Sequence, residues 1–324
     1  MPLDTALLDE VTRNHFEPGL VNQIYDSFVL WNRLKTLGRQ ATLVGPRLEW
    51  LMVSKKHESI GLISGYEETA DQQIKPTTKA IIEPAMYYAS VGISDEEEMK
   101  NSGSMEQLVS ILKTQIDNAR ETLTERIAQD AYGSGAAIGG KYPIIGLGAA
   151  MHLTNTYANI NRSTAGNEFW KGNVDANAHS ATNLQDATHA SYLPRILRAS
   201  YTSATHGGSP DLGITTKAIY NLYMDIAGTK INTFKDMADL GFGGAEFMGG
   251  AHKMAFDDYC TALAYYMLNT KDWSLHTYAG KDFNSDGWAR PTKQLARVTH
   301  FVWAGQLKCE APRRQAALTA ITAP

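Results

Sequence analysis

The chain has 324 residues, of which 43% are hydrophobic and 20% are charged, and its formal net charge at pH 7 is −4. This length is sufficient for one large domain or two medium domains with a substantial core. The near-neutral charge argues against a dedicated nucleic-acid-binding protein, which would carry clustered basic residues. No stretch has the composition of a transmembrane helix, and the opening sequence MPLDTALLDE lacks the basic region of a signal peptide. We therefore expect cytosolic synthesis and no membrane association.

The first 46 residues are predicted to form an arm with two short helices. The segment from Leu3 to Thr12 is weakly amphipathic, and a second helix is predicted to begin at Pro18 and to end at Gly38. The apolar side of this second helix consists of Val21, Ile24, Tyr25, Phe28, Trp31 and Leu34. An arm this apolar must pack either on its own domain or on a neighbouring subunit.

The next region, residues 47–93, is predicted to be an extended two-stranded β excursion. The sequence RLEWLMVS is typical of the first strand and TKAIIEPAMYYASVGIS of the return, and the tip between them is polar. A two-stranded ribbon buries too little surface to be stable alone, so it must pack on another surface. The run Asp95–Glu98 then predicts a solvated acidic turn.

A single long helix is predicted from Ser104 to Tyr132. Its apolar residues recur at gaps of three and four and form one stripe, which comprises Met105, Leu108, Val109, Leu112, Ile116, Ala119, Leu123 and Ile127. Ser104 and Gln107 are typical of a capping box, and Gly133 is a C-terminal stop. At ~1.5 Å per residue the helix would be roughly 42 Å long and would need a partner surface along most of its length. A coiled coil is the alternative, but the heptad repeat does not extend beyond this segment.

The second half of the chain mixes irregular segments with short elements. A glycine-rich link is followed by an irregular region with short strands over residues 151–190, then by predicted helices at Tyr192–Thr202 and Lys217–Ala227 with the strand DLGITT between them. The segments EFMGGAHKMAF and ALAYYMLNT are predicted to pair about a turn at Asp257 and Asp258, and WSLHTYAG to form another strand. Residues 294–321 are apolar on both faces, which predicts one long β stretch in the middle of a covered sheet.

No motif in the chain predicts a metal or nucleotide site. The segment Gly135–Lys141 has the spacing of a phosphate-binding loop, but Tyr142 stands where Ser or Thr should hold magnesium, and the segment follows a helix. The segment Asp282–Gly287 matches half of a calcium loop, but Lys293 replaces the bidentate glutamate. The sequences GxSxG and HExxH, which would predict a serine hydrolase or a zinc protease, do not occur.

The remaining reactive side chains do not form a convincing active site. His252 lies near Asp257 and Asp258 in sequence and could make an acid–base set, but such groupings arise by chance in a chain with 34 acidic residues. Cys260 and Cys309 are far apart, so we predict that they are reduced and buried. We expect no catalytic residue, no cofactor and no metal.

The order of the segments is more informative than any single motif. The apolar arm, β excursion, acidic turn, long helix, glycine link, α/β part and terminal β stretch resemble the layout of tailed-phage major capsid proteins. DLGITTKAIYNLYMDIA resembles the strand and helix of that family's axial domain, and FVWAGQLKCEAPRRQAALTAI resembles its closing run. FMGGAHKMAFDDYC followed by YYMLNTKDWSL resembles a recurrent run of the family, with Ala251 and His252 where proline is common. The resemblance covers nearly the whole chain and implies an α+β fold of the Hong Kong 97 type.

This resemblance implies a role for each part of the chain. Residues 1–46 would be the N-arm, 47–93 the E-loop, 94–145 and 284–324 the peripheral domain with the spine helix 104–131, and 146–283 the axial domain. The protein would be a major capsid protein that assembles as pentamers and hexamers into the icosahedral shell around the genome of a tailed double-stranded DNA phage. It would be made and assembled in the host cytoplasm and end in the virion capsid.

The arm and the E-loop would supply the contacts between subunits. The candidate contact residues are Val21, Ile24, Phe28, Trp31, Leu62, Ile63, Tyr66, Glu67, Glu68 and Lys75, and the structural residues of the spine are Leu108, Leu112, Ile116, Leu123 and Ile127. Because the chain begins directly with the arm at Met1, we expect a separate scaffolding protein and a portal, with a decoration protein as a further candidate partner. Contact with the packaged DNA should be non-specific.

Two other functions are compatible with the same sequence. An encapsulin-type nanocompartment shell would share the fold but enclose a protein cargo, and a soluble enzyme would use an α+β fold without forming a shell. Electron microscopy of purified particles distinguishes the two kinds of shell by their contents. Size-exclusion chromatography distinguishes a shell protein from an enzyme, which would run as a small oligomer.

Overall fold

The structure is a computed structural model that describes residues 28–54, 62, 65, 76–100, 105–204, 208–227, 244–247, 252–292 and 295–322. The helices are Val29–Thr36 (α1), Asp95–Lys100 (α2), Met105–Tyr132 (α3), Leu147–Ala150 (α4), Ala181–Gln185 (α5), Leu193–Ser203 (α6) and Lys217–Ala227 (α7). The strands are Gln40–Leu43 (β1), Leu48–Val53 (β2), Thr77–Ile82 (β3), Ala85–Ser94 (β4), Thr156–Tyr157 (β5), Ile160–Asn161 (β6), Asn173–Asp175 (β7), Leu212–Thr215 (β8), Gly244–Phe247 (β9), His252–Phe256 (β10), Tyr265–Leu268 (β11), Trp273–Ser285 (β12), Ala296–Cys309 (β13) and Ala316–Leu318 (β14). The predicted helix from Leu3 to Thr12 lies outside the described residues.

The helix α3 has the predicted extent. It spans Met105–Tyr132 without interruption and packs along β4, so it has the partner surface that its length requires. The second predicted helix of the arm ends at the predicted place, because α1 stops at Thr36 and Gly38 follows with a φ of +63°. Glycine adopts this left-handed conformation without the steric cost that other residues incur. The predicted helix does not run unbroken from Pro18, because Phe28 is extended and α1 begins at Val29.

A four-stranded sheet with the order β1-β12-β13-β4 lies against α3. β1 is parallel to β12, whereas β12–β13 and β13–β4 are antiparallel. The interior strand β13 buries Phe301, Trp303 and Leu307 on one face. Trp303 contacts the rings of Tyr87 on β4 and Trp31 on α1, so one aromatic cluster joins the sheet to the arm.

A six-stranded sheet with the order β7-β14-β11-β8-β10-β9 forms the second half of the fold. Alternate residues of β11 enter different cores, since Tyr265 and Met267 pack with α6 and α7 whereas Tyr266 and Leu268 join the core shared with the four-stranded sheet. All four residues of β8 are buried for the same reason. Such strands carry apolar residues on both faces because both faces of the sheet are covered.

The predicted pairing of the two strands around Asp257 and Asp258 is wrong. β10 and β11 both pair with β8, which lies between them, β10 in parallel and β11 antiparallel. The segment DLGITT, which forms β8 and precedes α7 in the chain, therefore occupies a central position in the sheet. A fully apolar strand gains most from a central position, and this gain exceeds the advantage of a local hairpin.

The single β stretch predicted for residues 294–321 is also wrong in one respect. β13 ends at Cys309, a 3₁₀ turn follows at Pro312–Arg314, and β14 pairs with β11 and β7 in the other sheet. Proline lacks the amide hydrogen that a central strand would need, so the ladder cannot continue through this turn. The end of the chain therefore contributes to both sheets.

The acidic turn predicted at Asp95–Glu98 is instead the start of α2. Ser94 and Glu97 form a reciprocal capping box: the Glu97 amide donates to Ser94 Oγ at 3.2 Å, and the Ser94 amide donates to Glu97 Oε2 at 3.2 Å. Acidic residues in the first turn also suit the positive end of the helix dipole. The sequence contains this capping motif, but the run of acidic residues favoured the interpretation as a solvated turn.

Candidate inter-subunit surfaces

The apolar stripe of α3 is turned into the subunit. Leu112, Ile116, Leu123 and Ile127 are at most 5% exposed and belong to the main core. The backbone of Leu108 lies in the same helix, but its side chain is outside the described part of the structure. The stripe therefore holds the subunit together and leaves the polar side of the helix for other contacts.

Two candidate contact residues of the arm are buried inside their own chain. Phe28 is 1% exposed and Trp31 is 3% exposed, and the Trp31 ring lies 6.0 Å from that of Trp303. This corrects the expectation that both side chains contact a neighbouring subunit, because a side chain enclosed by its own core has no free surface to offer. The other two candidates of the arm, Val21 and Ile24, lie outside the described residues.

The ribbon of β2 and β3 is a two-stranded antiparallel sheet, as the excursion predicts. The predicted return strand is wrong in its second half, because β4 pairs with β13 in the four-stranded sheet and Pro84 separates it from β3. One face of the ribbon, with Leu48, Ala80 and Ile82 buried at its base, packs on the body of the subunit. Further out, the Trp50 ring lies 6.4 Å from that of Trp170, and Lys308 Nζ lies 5.0 Å from the centre of the Trp50 ring. We call this side the inner face of the ribbon.

Trp170, which supports the inner face, is itself held by a buried cation. Arg162 is 0% exposed, and its guanidinium donates hydrogen bonds to the carbonyls of Trp170, Ala149 and Ala150. Burial lowers the pKa of Arg162 to about 10, and Tyr157, whose ring lies below the guanidinium, opposes the shift. A buried cation without its carbonyl partners would be costly, so the position of Trp170 is strongly determined.

The opposite side of the ribbon, its outer face, is uncovered. Leu51 is 71% exposed and Val53 is 73% exposed. Between them and the base, Lys79 Nζ lies 2.5 Å from Glu49 Oε2. The sequence RLEWLMVS contains this signal, because its apolar residues occupy both faces of a strand, and a ribbon that is apolar on both faces needs two partners.

The tip of the excursion carries most of the remaining candidates. Leu62 is described and fully exposed. Ile63, Tyr66, Glu67, Glu68 and Lys75 lie outside the described residues. β2 and β3 end at the opposed residues Val53 and Thr77, so the tip spans the chain between these two points.

A second uncovered surface, which sequence reasoning missed, lies on β4. Met86 and Tyr88 are 68% and 66% exposed, and the Tyr88 ring meets His300 of β13 edge-on at 6.1 Å. β4 is also an edge strand of the four-stranded sheet, and a groove of about 490 Å³ separates it from α3. The available signal was that AMYYAS is apolar at successive positions, which places apolar side chains on both faces of a strand.

The side chains of His252 and Asp257, the acid–base candidates, each have structural partners in the fold. His252 is completely buried, and its Nε2 lies 2.9 Å from the Tyr265 hydroxyl, whereas the Asp257 carboxylate receives the Tyr132 hydroxyl at 2.7 Å. His252 and Asp257 therefore have separate partners and form no acid–base pair. Among the described residues, no group of three or more His, Cys, Asp or Glu side chains could hold a metal ion.

Two further sequence expectations concern cysteines and membrane segments. Cys260 and Cys309 are free and buried, which confirms that prediction. Burial raises the pKa of both thiols, so neither is a reactive thiolate at neutral pH. Of the helices in the described ranges, none is long and apolar enough to cross a bilayer.

Comparison with known proteins gives matches only at the level of structure. No family model and no curated protein matches the sequence. The capsid of cyanophage A-1(L) matches with a TM-score of 0.61 and 18% identity, over 91% of this chain and 94% of that one. The capsid of Myoviridae phage XM1 matches with a TM-score of 0.55 and 12% identity, over 89% and 92% of the two chains. The procapsid of satellite phage P4, a structure that includes a size determination protein, matches with a TM-score of 0.50 and 12% identity, over 94% and 90%.

Proposed function

Because the chain has the Hong Kong 97-type α+β fold of these capsid subunits, we propose that it is the major capsid protein of a tailed double-stranded DNA phage. Copies of the chain assemble as pentamers and hexamers into a closed icosahedral shell. The observation that carries the proposal is the match to a capsid subunit over 91% of the chain. The apolar surfaces that a single subunit leaves open support it, since soluble monomers seldom expose such surfaces without a partner.

The ribbon is the main clamp between subunits. Its inner face is anchored on Trp50 and Trp170, so its direction is set within the subunit, and its outer face with Leu51 and Val53 is free to cover a neighbour. In this arrangement the tip adds three apolar anchors, Leu62, Ile63 and Tyr66, and three charged partners, Glu67, Glu68 and Lys75. The arm contributes through residues 1–27, which include Val21 and Ile24.

The two sheets have different places in the shell. We assign the peripheral domain to residues 94–145 and 284–324, which include α3 and β13, and the axial domain to residues 146–283, which supply all strands of the six-stranded sheet except β14. The four-stranded sheet also takes β1 from the arm, β4 from the excursion and β12 from the end of the axial segment. Copies of the axial domain meet around five-fold and six-fold axes. β14 pairs in the six-stranded sheet, so the last strand of the chain ties the axial domain to the peripheral one.

The partners of the shell are other viral proteins and DNA. A scaffolding or size-determining protein directs assembly, as the P4 procapsid includes such a protein, and a portal and a decoration protein are further partners. The net charge of −4 fits a lining that contacts DNA without sequence preference. Tight, sequence-dependent binding of short duplex DNA by the free subunit would contradict this part of the proposal.

The shell function needs no catalysis. The buried polar groups His252, Asp257 and Arg162 all serve packing contacts, so the protein acts as a structural component. It assembles in the host cytoplasm and remains in the virion capsid.

Negative-stain and cryo-electron microscopy of the purified protein test the function. Closed icosahedral particles that contain DNA and a portal vertex, when the protein is expressed with the other products of the phage, are the expected result. Particles filled with a second protein instead of DNA would replace the proposal with a nanocompartment function. A small, stable oligomer under all assembly conditions would contradict both shell functions.

A further inference from the structure

The helix α1 begins without a cap from its own sequence. Phe28 occupies the N-cap position, and it cannot accept a hydrogen bond through its side chain. The first amides of a helix have no partner within the helix, so a buried helix start needs an acceptor from elsewhere. Here the acceptor is Asp257, which lies after β10: the Val29 amide donates to Asp257 Oδ2 at 3.3 Å.

The same carboxylate oxygen also receives the end of α3. Tyr132, the last residue of α3, donates its hydroxyl hydrogen to Asp257 Oδ2 at 2.7 Å. The other oxygen, Oδ1, accepts from the Tyr259 amide at 3.0 Å, and the Asp257 amide donates to the carbonyl of Thr215 at the end of β8. One residue, 5% exposed, therefore joins the start of α1 and the end of α3 through its side chain and the six-stranded sheet through its backbone amide.

The groups around Asp257 indicate that its position depends on these donors. Burial raises the pKa of Asp257, while the bonds from Tyr132, Tyr259 and Val29 lower it. Among the described residues, the titratable groups that act on this cluster are Tyr132, Tyr259, Cys260, Asp258, Glu121 and Glu125. The buried carboxylate is held by its hydrogen-bond donors, and the positive end of α1 adds to them.

We propose that Asp257 is a junction that fixes the start of α1, where the arm joins the body of the subunit, and couples this point to the end of α3. Val29 and Tyr132 donate to the same oxygen of Asp257, and this shared acceptor couples the start of α1 to the end of α3. A displacement of Tyr132 moves or rotates the carboxylate, and the first turn of α1 then loses its acceptor. The Phe28 ring, edge-on to Tyr259 at 6.1 Å, moves with the same turn.

The consequence for the shell rests on the proposed function. Any contact that the arm makes through residues 1–27 starts from Phe28, whose place is set by α1. A bend or shift of α3 in one subunit is therefore transmitted to the contact that its arm makes with the next. In the free subunit the coupling can be measured through hydrogen exchange of the α1 amides. This measurement does not depend on shell formation.

Amide hydrogen exchange on the purified subunit tests the junction. Asp257→Asn places an amide NH₂ opposite one of the backbone donors, and Tyr132→Phe removes only the hydroxyl. We expect exchange over Val29–Asn32 to accelerate by about tenfold or more in Asp257→Asn, and by a smaller factor in Tyr132→Phe, while exchange in β8 changes less than about twofold. Tyr265→Phe, which removes a buried hydroxyl bonded to His252 in the other core, is the matched control and should leave Val29–Asn32 unchanged.

The outcomes separate the junction from the shell function. Unchanged exchange over Val29–Asn32 in both Asp257→Asn and Tyr132→Phe would overturn the junction. Acceleration in Asp257→Asn alone would overturn the coupling to α3. If the exchange follows the expectation but the wild-type protein never forms shells, the junction stands and the proposed function fails. If wild-type shells form, folded Tyr132→Phe subunits should assemble with a lower yield than Tyr265→Phe subunits, and equal yields would contradict transmission to the arm.

Discussion

The arm helix α1 and the ribbon β2–β3 have similar apolar sequences and different surroundings. Both were predicted to reach a neighbouring subunit because each seemed too apolar to stand alone. In the structure α1 is enclosed by its own subunit, with Leu30 and Leu34 0% exposed, whereas the ribbon buries only its inner face and leaves Leu51 71% exposed. The apolar sequence of a segment therefore predicts that the segment is covered. Whether its own subunit or another one covers it depends on the tertiary fold.

The difference follows from how much of each element the body of the subunit encloses. The residues from Phe28 to Asn32 are all buried, so α1 is enclosed on every side at its start, and the Trp31 ring contacts that of Trp303. The ribbon carries apolar residues on both faces, and the body of the subunit reaches only one of them. A second partner is needed for the outer face, and another copy of the chain is the partner we propose.

The largest effect should come from placing a charge on the enclosed element. Leu34→Asp puts an unpaired carboxylate into the main core and removes a fully buried side chain, which should cost about 5 kcal/mol or more and prevent folding. The control Leu37→Asp, at a residue 41% exposed just after α1, should cost less than about 1 kcal/mol. Urea denaturation followed by circular dichroism measures both. A folded Leu34→Asp subunit would mean that α1 is not part of the core.

Acid should weaken the core through a buried histidine. Burial lowers the pKa of His252 to about 4, and the carbonyl of Pro210 and the charge of Asp211 only partly oppose the shift. Because the folded pKa lies below the unfolded value, the stabilisation is full above about pH 6.5 and is lost as the pH falls toward 4. This loss is on the order of 3 kcal/mol for a shift of this size.

The comparison of wild type with His252→Gln isolates this contribution. Urea denaturation between pH 7 and pH 4 should show a smaller loss of unfolding free energy in the variant, because carboxylates contribute equally to both proteins. Identical pH profiles would mean that His252 is not held neutral in the core.

A smaller, local effect is expected at the anchor of the ribbon. Trp50→Ala removes the contacts with Trp170 and Lys308 and should cost about 2 kcal/mol, since Trp50 is only partly buried. The loss should appear as faster protease cleavage between Val53 and Thr77, with little change in the melting of the two larger sheets. Leu51→Ala on the outer face should change stability by less than about 0.5 kcal/mol and is the matched control. Equal cleavage of the two variants would show that the inner face does not anchor the ribbon.

Local patterns in the sequence predicted the elements better than their partners. The stripe of α3 and the limits of α7 follow from spacing within a few turns, and both agree with the structure. The partners of β8 did not follow, because the choice between a hairpin and a central strand depends on which faces are covered by α6 and α7. The burial of Trp31 against Trp303 could not be predicted either, since Trp303 lies near the other end of the chain.

The candidate contact surfaces, like the strand partners, could be predicted only in part from the sequence. Leu51, Met86 and Tyr88 could have been found, because each lies in a strand with apolar residues at neighbouring positions, which places apolar side chains on both faces. The support of the ribbon by Arg162 could not, since an isolated arginine in a polar stretch has no pattern that predicts burial against three carbonyls. Asp257 was noticed for its charge, and only the fold reveals that it caps α1.

The most direct test of the account is assembly by a subunit whose ribbon has lost its apolar outer face. Leu51→Asp combined with Val53→Asp should leave the fold intact, since both positions are exposed and Lys79 opposes residue 51, while Leu51→Met combined with Val53→Ile preserves the apolar character. The account predicts that the acidic variant melts like wild type in circular dichroism but yields no closed shells in electron microscopy, and that the apolar variant assembles normally. Closed shells of normal size and stability from the acidic variant would contradict the claim that this face joins one subunit to the next.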